Sequence, residues 1–600
     1  MTIFTLLSAA LLMAATETVP ADFYVSPTGN DTAPGTAAAP FATLEHARQA
    51  VGERVRAGLD RNLRVAVRGG VYELNEPLVF GPEDGGTTEF SVTYAAYPGE
   101  QPVISGGRQI SGWTRGDNDL WTVELPEVRS GAWFFRQLFV DGVRLPRGRY
   151  PNAPELLRVA SVSPDVTEIT FEQEMDFGDL GGKDVELVIY QNWSISRDIV
   201  TALDGPKVRT RNPMGWIGHG WTTTSPHKPA YLEHALAFVD QPGEWHLDRR
   251  TGILTYKAAP GENPNARRFV APRLEQLLVA AGRSGAPVRN LRFEGLTFEY
   301  AEWPLPAFGY MGIQAGHYGT IMQEQIHVLP LTLAYIYAEG CSLERCRILR
   351  VGACGIGFEA GCRDNHVVGC EVADIGGNGI MVGWRGKGVG MEGIGNPNLS
   401  ADWHKPEIEA PRGNVIMNNY VHRCGAINHG TVGIFVAFSA DTRITHNLVT
   451  DLPYTGISAG FRWNQTPTSQ RTCLIERNHV FDVMQMLADG GAIYTLGLQP
   501  GTVLRGNLLH TVHRSAYAHG GAPNNGVFFD EGSTGCLVED NIIYDTSGEP
   551  IRFHKTQREN LEWGENSFGA PPDDPAFPTT IAQQAGIEAE YRDILPDALR

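Results

Sequence analysis

The sequence predicts an all-β protein: a right-handed parallel β-helix, or solenoid, with a β-sandwich-like domain inserted between its early coils. Three observations predict it. First, one short phrase recurs eight times: an apolar residue, two variable residues, Asn or Cys (Leu in the first copy), one variable residue and a second apolar residue. It occupies 293–298, 343–348, 367–372, 416–421, 444–449, 475–480, 504–509 and 538–543, with Leu296, Cys346, Cys370, Asn419, Asn447, Asn478, Asn507 and Asn541 at its centre. A period of this size marks a stack of coils that share one core. Second, most coils carry a further Gly-led apolar stretch, at 355–358, 379–382, 433–436, 456–459, 491–494 and 526–529. Short alternating runs bounded by Gly, Asn and Asp read as strands joined by tight turns. Third, Thr43 precedes an amphipathic run to Val51. A capped helix there would cover the open end of the stack, where strand edges are otherwise unpaired. Right-handedness follows from the preference of parallel crossovers.

The elements follow in chain order. Residues 1–21 read as a secretion signal. The apolar run Ile3 to Ala15 is too short to span a bilayer, and Val19 and Ala21 offer small residues around a cleavage point. No Lys or Arg precedes that run. The chain is therefore expected to be exported, periplasmic or extracellular, with no transmembrane segment. Residues 22–110 read as cap and first coils. Residues 111–270 do not repeat and hold seven Trp: Trp113, Trp121, Trp133, Trp193, Trp216, Trp221 and Trp245. Alternation over Trp133–Val140 and Glu186–Tyr190 predicts an antiparallel insert. Its Trp residues are expected to pack its core rather than bind sugar. Residues 271–563 form the main β-helix. The tail, 564–600, starts with a Pro-rich stretch and is expected to end in a short helix over 585–595.

Composition narrows the partners. The formal net charge of −19 repels nucleic acid and anionic polymers and favours a neutral polysaccharide or oligosaccharide, bound by a monomer. All eight Cys lie inside the repeats, and Cys346 and Cys370 stand where later coils place Asn. That pattern predicts small buried side chains rather than a disulfide framework or metal site. No zinc-type His/Cys spacing occurs, and neither metal nor cofactor is expected.

On a β-helix the outward side chains of one sheet floor a groove suited to a polymer. If Val527 and Phe529 point inward, Phe528 and Asp530 point out. The following stretch Ile551 to His554 repeats the pattern and places His554 beside Asp530. Equivalent positions in earlier coils are small: Gly383, Ala437 and Gly460. Asp489, just before Gly490 and Gly491, is the second carboxylate candidate. Glycoside cleavage commonly needs one protonated and one ionised carboxyl group, about 5–10 Å apart. Aligning Ile493 with Val527 puts Asp489 and Asp530 seven positions apart, roughly 20 Å along a straight strand. Three readings remain open: the two glycines fold Asp489 back over the groove, the register differs, or one carboxylate is not catalytic and Glu531 replaces it. Tyr494, Arg462, Trp463, His429 and Trp384 are further candidates for contact with sugar, since aromatic faces stack on rings and Arg bonds hydroxyls.

Three segments carry a resemblance. The opening 23–31 with 40–44 resembles the start of many exported β-helix carbohydrate enzymes. Residues 139–144 and 149–152 resemble a narrower set with an inserted β domain. Residues 489–494, 499–502 and 529–533 are similar to glycoside hydrolase family 141. That resemblance implies a parallel β-helix, an α-L-fucosidase or xylanase type of activity, and catalytic aspartates at Asp489 and Asp530. The β-xylosidases of glycoside hydrolase family 120 resemble the chain in architecture. Two other classes stay open on sequence. A polysaccharide lyase would want a basic site, and none of the seven Lys is next to either acid in sequence. A non-catalytic glycan-binding solenoid would need no paired carboxylates.

Overall fold

The computed structural model describes residues 20–177, 180, 184–215, 227–319, 327–383, 409–515 and 523–600. Three long parallel sheets run its length. The first has 12 strands, from Phe23–Val25 to Glu562–Trp563; the second has 11, from Gly70–Glu73 to Ser567–Phe568. The third, the groove sheet, has 10 strands, from Leu78–Phe80 to Ile551–Phe553. This is the parallel β-helix that the repeats predict. Helix α1 (Leu44–Ala57) caps its start, and the Thr43 side chain accepts from the His46 amide as an N-cap.

The repeated phrase owes its regularity to a ladder inside the first turn of each coil. Asn419 Nδ2 donates to Asn447 Oδ1 at 2.9 Å, Asn447 to Asn478 at 2.9 Å, Asn478 to Asn507 at 3.0 Å and Asn507 to Asn541 at 2.8 Å. Each Oδ1 also accepts the backbone N–H of the preceding rung. The residue before each of the last five rungs, Asn418, His446, Arg477, Gly506 and Asp540, has positive φ, so the chain turns there and aims the amide along the stack. The eight cysteines are buried and free, and Cys346 and Cys370 stand in line with this ladder.

The insertion leaves through Gly107–Ile110 and returns through Phe269–Pro272, which pair antiparallel. The stack closes beneath it, because Val92–Ala96 pairs directly with Leu291–Glu294. The insert has two parts. Four-stranded antiparallel sheets enclose a core with Trp113, Trp133 and Trp245, so these Trp residues pack rather than face sugar. Beyond them Leu157–Val162, Glu168–Phe171, Lys207–Thr210, Ile195–Asp204, Glu186–Tyr190 and Pro229–Glu233 pair in a closed antiparallel ring. Over Trp133–Val140 only Phe139–Val140 is strand. Trp216 and Trp221 lie outside the described residues.

Two expectations change. Tyr310–Gln314, assigned by sequence to the β-helix, pairs with the insert strand Ile195–Asp204. The tail has an α-helix at Thr579–Gln584 and a 3-10 turn at Ala589–Ile594 instead of one helix over 585–595. Gly586, at φ 81°, separates them and donates to Arg477 O at 2.7 Å, which lets Ile587 and Leu595 pack on Tyr420 and Leu448. Most of the expected signal segment, up to residue 19, lies outside the described residues. Among those described, no helix is long and apolar enough to cross a membrane.

Candidate active site

The groove-sheet register is the one the sequence predicts. Ile493 pairs with Val527, Val527 with Ile551, and Phe528 with Arg552. Asp530 and His554 are therefore neighbours, and His554 Nδ1 lies 2.7 Å from Asp530 Oδ1. The other oxygen, Oδ2, accepts from the Tyr494 hydroxyl at 2.5 Å. Tyr494 is buried between strands, and burial drives its phenol pKa well up, so the hydroxyl stays a donor. The hydrogen bond to Asp530 raises the His554 pKa against the opposing effect of partial burial.

Asp489 is folded back. It takes a left-handed backbone, φ 65°, before the strand begins at Gly491. The Tyr454 hydroxyl donates to its carbonyl at 3.0 Å. Both glycines are required by close approach. A Cβ on Gly490 would sit 2.6 Å from Thr455 Oγ1, and one on Gly491 2.5 Å from Asn525 O. The fold-back brings Asp489 Oδ1 to 2.7 Å from Arg552 Nη1, with the guanidinium laid over the Phe528 ring at 4.0 Å. Arg552 holds Asp489 and His554 holds Asp530. Arg552 lies on the strand Ile551–Phe553 and His554 directly follows that strand, two residues on and at most about 7 Å further along. The straight-strand separation of roughly 20 Å thus does not apply. Burial raises the Asp489 pKa; Arg552 lowers it, the nearby Asp530 charge raises it again, and the net direction is up.

The remaining candidates divide. Trp463 packs beside Tyr494, Leu496 and Phe528 and edges onto Phe461 at 4.7 Å. Glu531 is held by Lys555 Nζ at 2.6 Å, a cation that adjacency in sequence did not place near the acids. Arg462 is buried and donates through Nε to Asn464 Oδ1 at 3.1 Å, so it braces its own loop. His429 is stacked on Tyr190 of the insert, centroids 5.4 Å apart, and burial with nearby Arg197 and Arg149 presses its pKa to about 3. It belongs to the interface between insert and coils rather than to the carboxylate pair. Trp384 lies outside the described residues. Asp530, Glu531 and His554 offer ligand atoms within 4.8 Å of one another, but Lys555 and Tyr494 already engage the two carboxylates.

Sequence reasoning missed the insert's part in the site. Asn192, in the turn between Glu186–Tyr190 and Ile195–Asp204, accepts the Ala488 N–H through its carbonyl at 2.8 Å, next to Asp489. Its side-chain oxygen accepts from Lys228 Nζ at 2.6 Å. Trp193 Nε1 donates to Ile313 O at 2.7 Å, beside Gln314, whose side chain reaches Tyr454 and Tyr494. Arg552 alone was legible, through its register with Phe528.

A β-helix groove with two held carboxyl groups and aromatic walls is the layout of an enzyme acting on glycans. Comparison with known proteins agrees. Residues 118–258 match the model of the GH141 insertion domain. A solved structure described as a glycoside hydrolase is 27% identical, covers 96% of this chain and 100% of its own, and superposes with a TM-score of 0.85. XylC in complex with xylose is 12% identical, covers 91% of this chain and 86% of its own, with a TM-score of 0.49. No curated protein matches the sequence. The chain is a glycosidase, and its insert matches the insertion domain of glycoside hydrolase family 141.

Proposed function

We propose that this glycoside hydrolase is exported and cleaves neutral glycosidic bonds of plant-type polysaccharide or oligosaccharide, of α-L-fucoside or xylan/xyloside type, with Asp489 and Asp530 as its working carboxyls. The observation that carries the mechanism is the shared anchoring of the two acids. Arg552, on the last groove strand, and His554, just after it, each hold one of them. Their environments differ in the way such chemistry needs. Burial raises the Asp489 pKa and favours a protonated carboxyl that can donate to the leaving glycosidic oxygen. Asp530 receives the Tyr494 hydroxyl and faces His554, partners that suit an ionised carboxylate opposite the developing positive charge at the anomeric carbon. The glycosidic C–O bond breaks, the leaving oxygen takes the Asp489 proton, a water oxygen ends on the anomeric carbon as hydroxyl, and the proton that this water gives up returns to the carboxylate pair.

The match of residues 118–258 to the GH141 insertion domain and the net charge of −19 support the neutral substrate class. The apolar run at 3–15 and the small residues before Asp22 support export. The test is incubation of the purified protein with fucosylated pectin side chains, xylan and xylo-oligosaccharides, beside Asp530→Asn. New reducing ends without the ultraviolet absorbance of unsaturated uronates, lost in the variant, are expected. Rising absorbance would mean a lyase. Secreted protein should begin at Asp22; an N-terminus that still carries Ile3–Ala15 outside the cell would remove the export reading.

A further inference from the structure

The groove sheet is not open along its length. Its outward row, read through the strand register, runs Val79, Val279, Ala334, Gly357, Met381, Phe435, Ser458, Tyr494, Phe528 and Arg552. In an open groove such side chains are wet. Val79, at the start, is 51% exposed, whereas Phe435 is 0% exposed and Met381, Ser458, Tyr494 and Phe528 are all buried.

The cover is the hairpin of Tyr310–Gln314 and His317–Tyr318. The His317 ring lies 5.1 Å from Phe435 and 3.9 Å from Phe461, and Phe461 abuts Trp463. The hairpin is bolted down on several sides. Ala315 N donates to Gly430 O at 3.1 Å, Asn378 Nδ2 donates to Ala315 O at 2.7 Å, and Trp193 Nε1 donates to Ile313 O. The insert extends the grip, since Tyr310 and Met311 pair with Arg197 and Ser196. These are backbone anchors from three parts of the chain, the geometry of a fixed plug rather than a moving lid. Upstream of the plug the same floor (Val279, Ala334, Gly357, Met381) lines a separate cavity of about 250 Å³ with Tyr318 and His327. Downstream lie Asp489 and Asp530. Phe435 and Phe528 are three strand spacings apart, about 14 Å. Past Asp530 one groove strand remains, Ile551–Phe553, and the side chains after it are open: His554 is 45% and Lys555 63% exposed.

We infer that the enzyme is exo-acting: the terminal sugar of a glycan abuts the plug made by Gln314, His317, Phe461 and Trp463, and the rest of the chain leaves past His554 and Lys555. One hydrolysis then frees one monosaccharide, with water supplying the hydroxyl of the sugar and the proton of the shortened chain. The inference rests on the reading of Asp489 and Asp530 as the catalytic pair.

The test uses the full chain on two probe sets: xylohexaose and a fucosylated pectin oligosaccharide, each with free ends and with the non-reducing terminal sugar capped by O-methylation. Products are separated at less than 5% conversion. Monosaccharide alone is expected at early times, with the capped probes cleaved at least 100-fold more slowly. Internal fragments at early times, or cleavage of the capped probes at a similar rate, overturn exo action. Asp530→Asn, run in parallel, separates the two claims. Internal fragments made by wild type and lost in the variant sink the plug inference alone. Activity retained in the variant sinks the catalytic pair, and no cleavage of either probe set sinks the substrate class and the inference with it.

Discussion

The Asn-ladder turn and the groove sheet are stacked on the same coils and obey different rules. On the ladder, each position is fixed by the coil before and the coil after, and the same residue type solves the same problem at every step. On the groove sheet, the positions that matter are fixed from far away. Asp489 depends on Asn192 about 300 residues earlier through the Ala488 amide, on Tyr454 one coil back, and on Arg552 two strands on. Local repetition makes the scaffold, and Cys370 continues the same line before Asn419. Long-range contacts make a site that the scaffold alone would not form. Changes in the ladder turn and on the groove sheet should therefore be felt in different observables.

The largest effect belongs to the groove. Asp530→Asn keeps the volume and the Tyr494 contact but removes the charge. It should lower kcat by about 10²–10⁴ with little change in melting temperature. A loss of melting temperature in proportion to activity would make Asp530 structural. Asp489→Asn should lower kcat on the same scale.

On the ladder the reverse is expected. Asn507 accepts from the Asn478 N–H and side chain and donates to Ile475 O and Asn541. Asn507→Leu strands a buried N–H and carbonyl, at about 1–3 kcal/mol for each unsatisfied group. Chemical denaturation should show the loss, and kcat per folded molecule should stay near wild type. A fall in kcat without a fall in stability would break the division of labour between the ladder turn and the groove sheet.

That division also explains what the sequence could reveal. The ladder is written once per coil, so its period gives the fold, the buried cysteines and the register that pairs Phe528 with Arg552 and Asp530 with His554. Asp489 was legible as a residue type but not as a position. Its left-handed backbone and the fold-back at Gly490 come from contacts with Thr455, Asn525 and Asn192 that no local pattern encodes. The hairpin at 310–318 misled for a related reason. Its strand pattern is ordinary, and only its pairing with Ser196 and Arg197 assigns it to the insert. His429 lies just before a groove strand and reads as a groove residue, yet the Tyr190 ring covers it from the insert.

Lys228 tests how firmly the insert braces Asp489. It is buried with Nζ on Asn192 Oδ1, and burial lowers its pKa to about 8. The unfolded chain holds that proton to about pH 10.4. Between pH 8 and 10.4 the unfolded state thus binds more protons, so this group makes stability rise with pH. Wild type should gain up to about 3 kcal/mol relative to Lys228→Met across that window. Parallel stability curves for the two proteins would mean that the amine is solvated and that the brace is weaker than the 2.6 Å contact implies.

The smallest expected effect lies at the open end of the groove. The His554 pKa is raised, first by its hydrogen bond to Asp530 and then by the Asp530 and Glu531 charges, against partial burial and Lys555. A raised folded-state value contributes stability that is complete below the unfolded pKa, about 6.5, and fades as pH climbs through the folded value. The side chain is 45% exposed, so solvent screening keeps that contribution small, and the titration is the better readout. The imidazole resonance of His554 should titrate at higher pH in wild type than in Asp530→Asn, and Glu531→Gln should move it less, because Glu531 acts only through its charge. Equal shifts in the two variants would mean that the general negative field of Asp530, Glu531 and their neighbours holds the proton. The hydrogen bond would then not be what couples the end of the last groove strand to Asp530, and the anchoring of Asp489 by Arg552 would stand alone as the tie between that strand and the candidate site.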